Sequence, residues 1–262
     1  MALDDPLDRP GSEVVMAPQE VSQLSGLPKL LGKEQVAEGT TAFHFEKPPG
    51  FDFKPGQSAD VTWFNPPETD VEGNTRTFSV ASAPFEDKLM FATRMRDTAF
   101  KRSLTRMPPG TGVKIDSALG SFTLHKNSAK PGVFLAGGIG ITPFLSILRQ
   151  ADHDRAPHQV ILFYCNHRPE DAAFLEALQR LATSNANFRF VGTMTKMANA
   201  KKKWDGETGR INKEMLSRYM SDLHGPIYYI AGPPAMVTGI REMLVAARID
   251  EDDIRTEEFP GY

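Results

Sequence analysis

The 262 residues carry 30 basic against 33 acidic side chains, and a formal net charge of −3 gives no reason to expect a nucleic-acid partner. A hydrophobic share of 40% is enough to build cores and excludes wholesale disorder, and the length suits two domains of ordinary size. The single cysteine, Cys165, excludes a disulfide framework and an iron–sulfur cluster held by this chain alone.

In chain order, the opening MALDDPLDRPGSEVV lacks the basic start and apolar run of a secretory signal. Residues 1–27 show no periodicity and read as a flexible lead-in. The longest mainly apolar stretch, Val133 to Leu148, is broken by glycine and proline and falls short of the ~20 residues of a membrane span. A cytoplasmic chain with no membrane span is expected.

From Lys29 to about Leu124 the sequence alternates short strand candidates with turns. The strands are KLLGKEQVA, TTAFHFEKP, SADVTWF, RTFSVAS, KLMFATRMR and GVKIDSAL, cut at Pro48-Pro49-Gly50, Pro55-Gly56, Pro66-Pro67 and Pro108-Pro109-Gly110. Such punctuation predicts an antiparallel barrel, here residues 28–128. One helix interrupts it, with Asp97 as the expected N-cap and Phe100 and Leu104 four residues apart over Thr98 to Arg106.

After Lys130-Pro131-Gly132 the pattern changes. VFLAGG leads into the helix PFLSILRQA, and QVILFYCN into the helix DAAFLEALQRLAT; FRFVGTM and a basic loop follow. A short helix near Lys213 to Met220, the strand IYYIAG, the helix AMVTGIREMLVAARI and the strand IRTEEF complete the chain. Apolar strands alternating with amphipathic helices predict a parallel, Rossmann-like sheet over residues 129–262.

Four stretches carry chemistry. On Arg76-Thr77-Phe78-Ser79, an arginine fork suits a phosphate, a phenyl ring can stack and a hydroxyl can hydrogen-bond. Period-two geometry points Arg76 and Phe78 one way, Thr77 and Ser79 the other. Taken alone, the same residues fit an ordinary barrel strand. Thr93-Arg94-Met95-Arg96-Asp97-Thr98-Ala99-Phe100-Lys101 joins a strand to a helix N-terminus, where free N–H groups, the dipole and Arg94, Arg96 and Lys101 favour an anion. A solvated surface helix is the alternative there. Gly137-Gly138-Ile139-Gly140-Ile141-Thr142-Pro143 lies between strand and helix, with Thr142 as a helix cap and Pro143 in the first turn. It departs from the usual G-x-G-x-x-G spacing and also fits a tight structural turn. Ala231-Gly232-Pro233-Pro234-Ala235-Met236 again follows a strand and opens a helix, so both loops should line one crevice at the strand C-termini.

These motifs, with the ending Glu258-Phe259-Pro260-Gly261-Tyr262, resemble the ferredoxin–NADP reductase superfamily in order and separation over residues 29 to 262. The resemblance implies a flavin-binding Greek-key barrel followed by a nicotinamide-binding domain. It implies that Arg76 contacts the flavin phosphate, that Thr77 lies beside it, that Phe78 packs on the ring system or ribityl chain, and that Ser79 lies near flavin N5. Thr98, Ala99, Phe100 and Lys101 would form the pyrophosphate turn, with Thr93 and Arg94 leading into it. Gly137, Gly138, Gly140, Thr142 and Pro143 would hold the dinucleotide, and Ala231, Gly232, Pro233 and Met236 would flank the nicotinamide. Glu258, Phe259 and Tyr262 resemble the tail that shields the flavin, with the glutamate as a proton relay and Ser79, Glu258 and Tyr262 as the catalytic set. Phe78 stands where the family usually has tyrosine, which loses a hydrogen bond. Ala231 stands where it often has cysteine, which puts the efficiency of hydride transfer in doubt.

The activity so implied is hydride transfer between NAD(P)H and FAD, in preference to FMN, with electrons passed singly to a separate carrier such as ferredoxin, flavodoxin or an oxygenase component. A free-flavin or ferric reductase would use the same residues, and a non-catalytic nucleotide-binding subunit is the alternative of another class. Arg168, Lys196 and Lys201-Lys202-Lys203 could meet a 2′-phosphate, which leans the reading to NADPH, although the lysine run also suits a solvated loop. Cys165 reads as a small buried hydrophobe. The six histidines lack ligand-like spacing, so no metal is assigned.

Overall fold

A computed structural model describes residues 26–260; of the expected lead-in, residues 1–25 lie outside the described residues, as does Tyr262. The first half contains two antiparallel sheets of three strands each. In one, β1 (Leu30–Ala37) pairs with β2 (Thr40–Glu46), which pairs with β5 (Lys88–Arg94). In the other, β3 (Ser58–Thr62) lies between β4 (Thr75–Ser79) and a two-residue β6 (Lys114–Ile115). Alternate residues of β2, β3 and β5 turn inward: Phe43 and Phe45, Ala59 and Val61, and Leu89 and Phe91 fill one core between the sheets. Helix α1 (Ala99–Arg106) closes that core with Phe100 and Leu104. The result is barrel-like, as expected.

The expected N-cap of α1 is corrected by one residue. Thr98 Oγ1 accepts from the Lys101 amide at 3.3 Å, whereas Asp97 accepts from the Arg102 guanidinium. Arg102, the fourth residue of the helix, engages the acid, and the threonine takes the cap.

The second half is a six-stranded, all-parallel sheet in the order β10-β9-β8-β7-β11-β12. Its strands are β7 (Gly132–Gly137), β8 (Val160–Asn166), β9 (Phe188–Met194), β10 (Glu207–Thr208), β11 (Ile227–Gly232) and β12 (Ile254–Glu258). Helices α2 (Ile141–His153), α3 (Leu175–Ser184), α4 (Lys213–Tyr219) and α5 (Pro234–Ala246) alternate with them. Every residue of β7 and β11 is buried, because these central strands are covered on both faces. The short β10 was not expected; Glu207 and Thr208 carry no apolar signal and owe their place to Thr193 and Met194 of β9. The start of α3 is also corrected. Residues Pro169–Asp171 form a separate 3₁₀ turn, and Phe174 at φ +59° precedes the helix, which begins at Leu175, four residues later than expected.

Winding reverses at β7, whose neighbours are β8 on one side and β11 on the other. Loops leaving β7 and β11 therefore flank the switch point, where such sheets bind ligands. A continuous core joins the halves: Ala42, Met90 and Phe122 of the first pack in one cluster with Phe134, Phe144 and Tyr229 of the second. Among the described residues no helix is long and apolar enough to cross a membrane.

Candidate active site

Arg76 and Phe78 share a face of β4, as alternation requires, and both meet Phe100 of α1. The Arg76 guanidinium lies 4.8 Å from the Phe100 ring centroid, and the Phe78 ring packs against Phe91 and Phe100 at 6.1 and 6.3 Å. Thr77 points to the other face and donates to Asp60 of β3. Thr93 is buried in the barrel, and Arg94 reaches the other half, 3.8 Å from Asp171. Thr98, Ala99 and Phe100 form the start of α1. Lys101 in its first turn donates to the Arg94 carbonyl at 2.7 Å, and its pKa is lowered by burial and then by the charges of Arg96 and Arg76. A strand arginine, a helix N-terminus and a half-buried lysine thus converge on one cationic region suited to a phosphate.

The glycines of the second half are explained by the other loop. A Cβ on Gly140 would stand 2.3 Å from the Ala231 carbonyl oxygen, and one on Gly137 would stand 2.2 Å from Met236 Sδ. A Cβ on Gly232 would in turn stand 3.1–3.2 Å from the Gly137 backbone. Gly138 adopts φ +52°, a left-handed conformation that glycine accepts without strain. The two expected ligand loops are therefore one interlocked unit at the switch point. Tyr164 of β8 holds that unit from below, its hydroxyl within 3.0 Å of the Gly138 carbonyl and 3.3 Å of that of Ala173. Pro143 sits in the first turn of α2, as expected. Thr142 does not cap it: Gly140 occupies the cap, and the Thr142 hydroxyl donates to the Ile139 carbonyl at 3.0 Å. Pro233 precedes α5 and accepts from the Met236 amide at 2.9 Å.

The halves meet at Ser79. Its hydroxyl donates to Glu257 Oε1 at 3.5 Å, and Glu257 lies in register with Ala231 across β12 and β11. Burial pushes the Glu257 carboxyl up to about 7, against the opposing effect of the Ser79 hydrogen bond, and its Oε2 is buried without a hydrogen-bond partner. Sequence reasoning chose Glu258 as the acid; on β12 that side chain points outward and is exposed. Parity along the strand separates Glu258 from Glu257, which meets Ser79. Arg255, Glu257 and Phe259 alternate onto one face, and the apolar Phe259 marks which face is inward. The Phe259 amide donates to the Gly232 carbonyl at 2.9 Å, tying the tail to the nicotinamide-loop candidate.

Arg168 and Lys196 part company in the structure. Arg168 grips Asp171 through two bonds of 2.9 and 2.7 Å, with Asp171 only 4% exposed, and lies 3.8 Å from Glu38 of the barrel. Its offer to a 2′-phosphate is thus largely taken up by carboxylates. Lys201 likewise meets both Glu38 oxygens at 3.0–3.1 Å. Lys196 adjoins His167, whose carbonyl accepts from the Lys196 amide at 2.8 Å. Cys165 is half-buried beside Gly137 and Thr193, and burial raises its thiol to about 11, so it stays protonated at neutral pH.

Residues 134–242 match the family model of the oxidoreductase NAD-binding domain. The described residues share the fold of solved structures of the ferredoxin–NADP reductase type. The chain superposes on the FAD/NAD-binding domain of nitric oxide dioxygenase from Vibrio cholerae with a TM-score of 0.77 at 18% identity, covering 89% of this chain and 98% of that one. A ferredoxin NADP⁺ reductase from Neisseria gonorrhoeae, with bound FAD and NADP, matches with a TM-score of 0.73 at 24% identity, over 88% and 97% of the two chains. In sequence, the reductase component of propane 2-monooxygenase from Mycolicibacterium smegmatis is 28% identical over 223 residues, which is 81% of this chain and 61% of that protein. The chain thus spans about three-fifths of the length of the curated relatives it matches.

Proposed function

We propose that this chain is a flavin-dependent oxidoreductase that draws electrons from NAD(P)H and delivers them singly to a separate carrier, an oxygenase component being the favoured class. Residues 28–128 would hold FAD and residues 129–262 the nicotinamide nucleotide, and a cytoplasmic location fits both. The observation that carries this reading is the Ser79–Glu257 contact, which sets the hydroxyl of the flavin-type motif against an acid aligned with the Ala231 loop. FAD when bound supplies the exchange of a hydride for single electrons.

The residues present fit that cofactor. Arg76, Lys101 and the N-terminus of α1 offer charge and donors to its phosphates, and Phe78 lines the barrel beside them. Ser79 and Glu257 form a proton path at the seam, and the raised pKa lets Glu257 carry a proton at neutral pH. The interlocked Gly137–Gly140 and Ala231–Pro233 backbones would fix the dinucleotide, and Phe259 would shelter the ring face. The lean toward NADPH rests on Lys196, Lys202 and Lys203, because Arg168 and Lys201 are held by acids. Supporting the carrier assignment, the propane 2-monooxygenase relative is a reductase component.

The test is the visible spectrum of the purified protein under anaerobic conditions, before and after NADPH and then NADH. A flavin spectrum bleached faster by one nucleotide is expected. Absence of bound flavin after incubation with both FAD and FMN would overturn the reading.

A further inference from the structure

The loop between β3 and β4 carries Glu68, Asp70 and Glu72, and the Arg76 guanidinium is turned into it. One terminal nitrogen donates to the carbonyls of Glu72, Gly73 and Thr75 at 2.8–3.0 Å. The other meets Asp70 Oδ1 at 3.2 Å and Glu72 Oε2 at 3.0 Å. A guanidinium has four terminal N–H donors, and loop oxygens engage both nitrogens that carry them. The same loop reaches the rest of the cationic region. Glu72 acts electrostatically on Lys101 alongside Arg96 and Arg76. Glu68 pairs with Arg102 and Arg106 at 2.7 Å each, and its backbone exchanges two hydrogen bonds with Ser103 at 3.1–3.2 Å. Glu68 is therefore fixed against α1, while Asp70 and Glu72 hold Arg76, in the place where phosphate charge is expected.

We propose that Asp70 and Glu72 compete with the flavin phosphate for Arg76 and so set the affinity of the protein for its flavin. A phosphate oxygen and a carboxylate oxygen seek the same donors, and two anions on one guanidinium repel each other. Phosphate binding at Arg76 therefore displaces the two carboxylates, and the affinity measured is the difference between the two sets of contacts. This inference rests on the assignment of Arg76 to the flavin phosphate under Proposed function. Its signature is chemical. FMN and FAD carry phosphate and feel the competition, whereas riboflavin has none and does not.

The experiment uses the full chain stripped of flavin, with dissociation constants for FAD, FMN and riboflavin read from quenching of flavin fluorescence. For Asp70→Asn with Glu72→Gln, FAD and FMN should bind about tenfold more tightly, the scale set by losing two partly exposed ion pairs, with riboflavin unchanged. The single Glu72→Gln change alters an exposed side chain and should give part of that gain, so a folding defect in the double variant leaves the test intact. Weaker FAD and FMN binding with riboflavin unchanged would overturn the proposal and make the acids holders of Arg76 for the phosphate. Unchanged affinity for all three would overturn it too. Failure of the wild-type chain to bind any of the flavins would instead refute the flavin reading, and the loop proposal with it.

Discussion

Replacing Glu257 by Gln should stabilise the protein at alkaline pH and change little in mild acid. The carboxyl is buried at the seam between the halves, with Ser79 as donor to one oxygen and no donor to the other. Burial raises it from the ordinary 4.5 to about 7. Between those values the native protein keeps a proton that the unfolded chain has released, so stability falls as pH rises through the window. The loss begins near 4.5 and is complete above about 7. At about 1.4 kcal/mol per tenfold change in proton affinity, the full penalty is about 3 kcal/mol. Glutamine keeps the shape and can still accept from Ser79, but it never ionises. Urea unfolding of both proteins from pH 5 to 8.5 measures the effect. The advantage of the variant should be small at pH 5 and approach about 3 kcal/mol by pH 8. An equal difference at every pH, or a variant less stable at pH 8, would refute the reasoning, because it would mean that Glu257 is charged and satisfied.

Gly140→Ala should disrupt the interlocked loops, since its Cβ would lie 2.3 Å from the Ala231 carbonyl oxygen. A stability loss of about 1–3 kcal/mol and weaker binding of 5′-AMP and NAD(P)H, followed by calorimetry, are expected. Asp171→Asn should destabilise the protein at neutral pH, because Arg168 holds the Asp171 carboxyl below its ordinary range in a nearly buried pair. A depressed carboxyl contributes above its unfolded pKa and loses that contribution as pH falls through the folded value. Thermal unfolding at pH 7 and pH 3 should show the two proteins apart at the first and converging at the second.

The strands were legible because the two halves bury their surfaces differently. Alternation in TTAFHFE marks a half-buried antiparallel strand, and unbroken apolarity in IYYIAG marks a central parallel one. The loops flanking the switch point could be found because glycine and proline interrupt that apolarity. What the glycines touch could not. Gly137 and Gly140 read as room for a ligand, yet the space at their Cβ positions is filled by Met236 and Ala231, residues almost a hundred positions away. Thr98 displaced Asp97 as a cap because Arg102 competes for the acid, a contact with no sequence signature. The acidic loop escaped notice for the same reason: Asp70 and Glu72 gain meaning only when Arg76 turns toward them.

The distribution of these groups makes β12 the element through which the halves communicate. Its register sets Glu257 against Ala231 and Glu258 against Gly232, and the next amide, that of Phe259, bonds back to Gly232. Arg255 lies over the Tyr229 ring of β11, 5.1 Å from its centroid, and donates to the Thr123 carbonyl in the segment leading out of the barrel. A single five-residue strand therefore touches the barrel exit, the switch-point loop and the serine of the flavin-type motif. Backbone pairing with β11 couples these contacts, so a shift of the tail moves the acid and the nucleotide loop together. Substitution at Arg255 should accordingly alter nucleotide binding and the ionisation of Glu257 in concert, although its side chain is assigned to neither ligand. Independent changes in the two would show that β12 is only an edge strand.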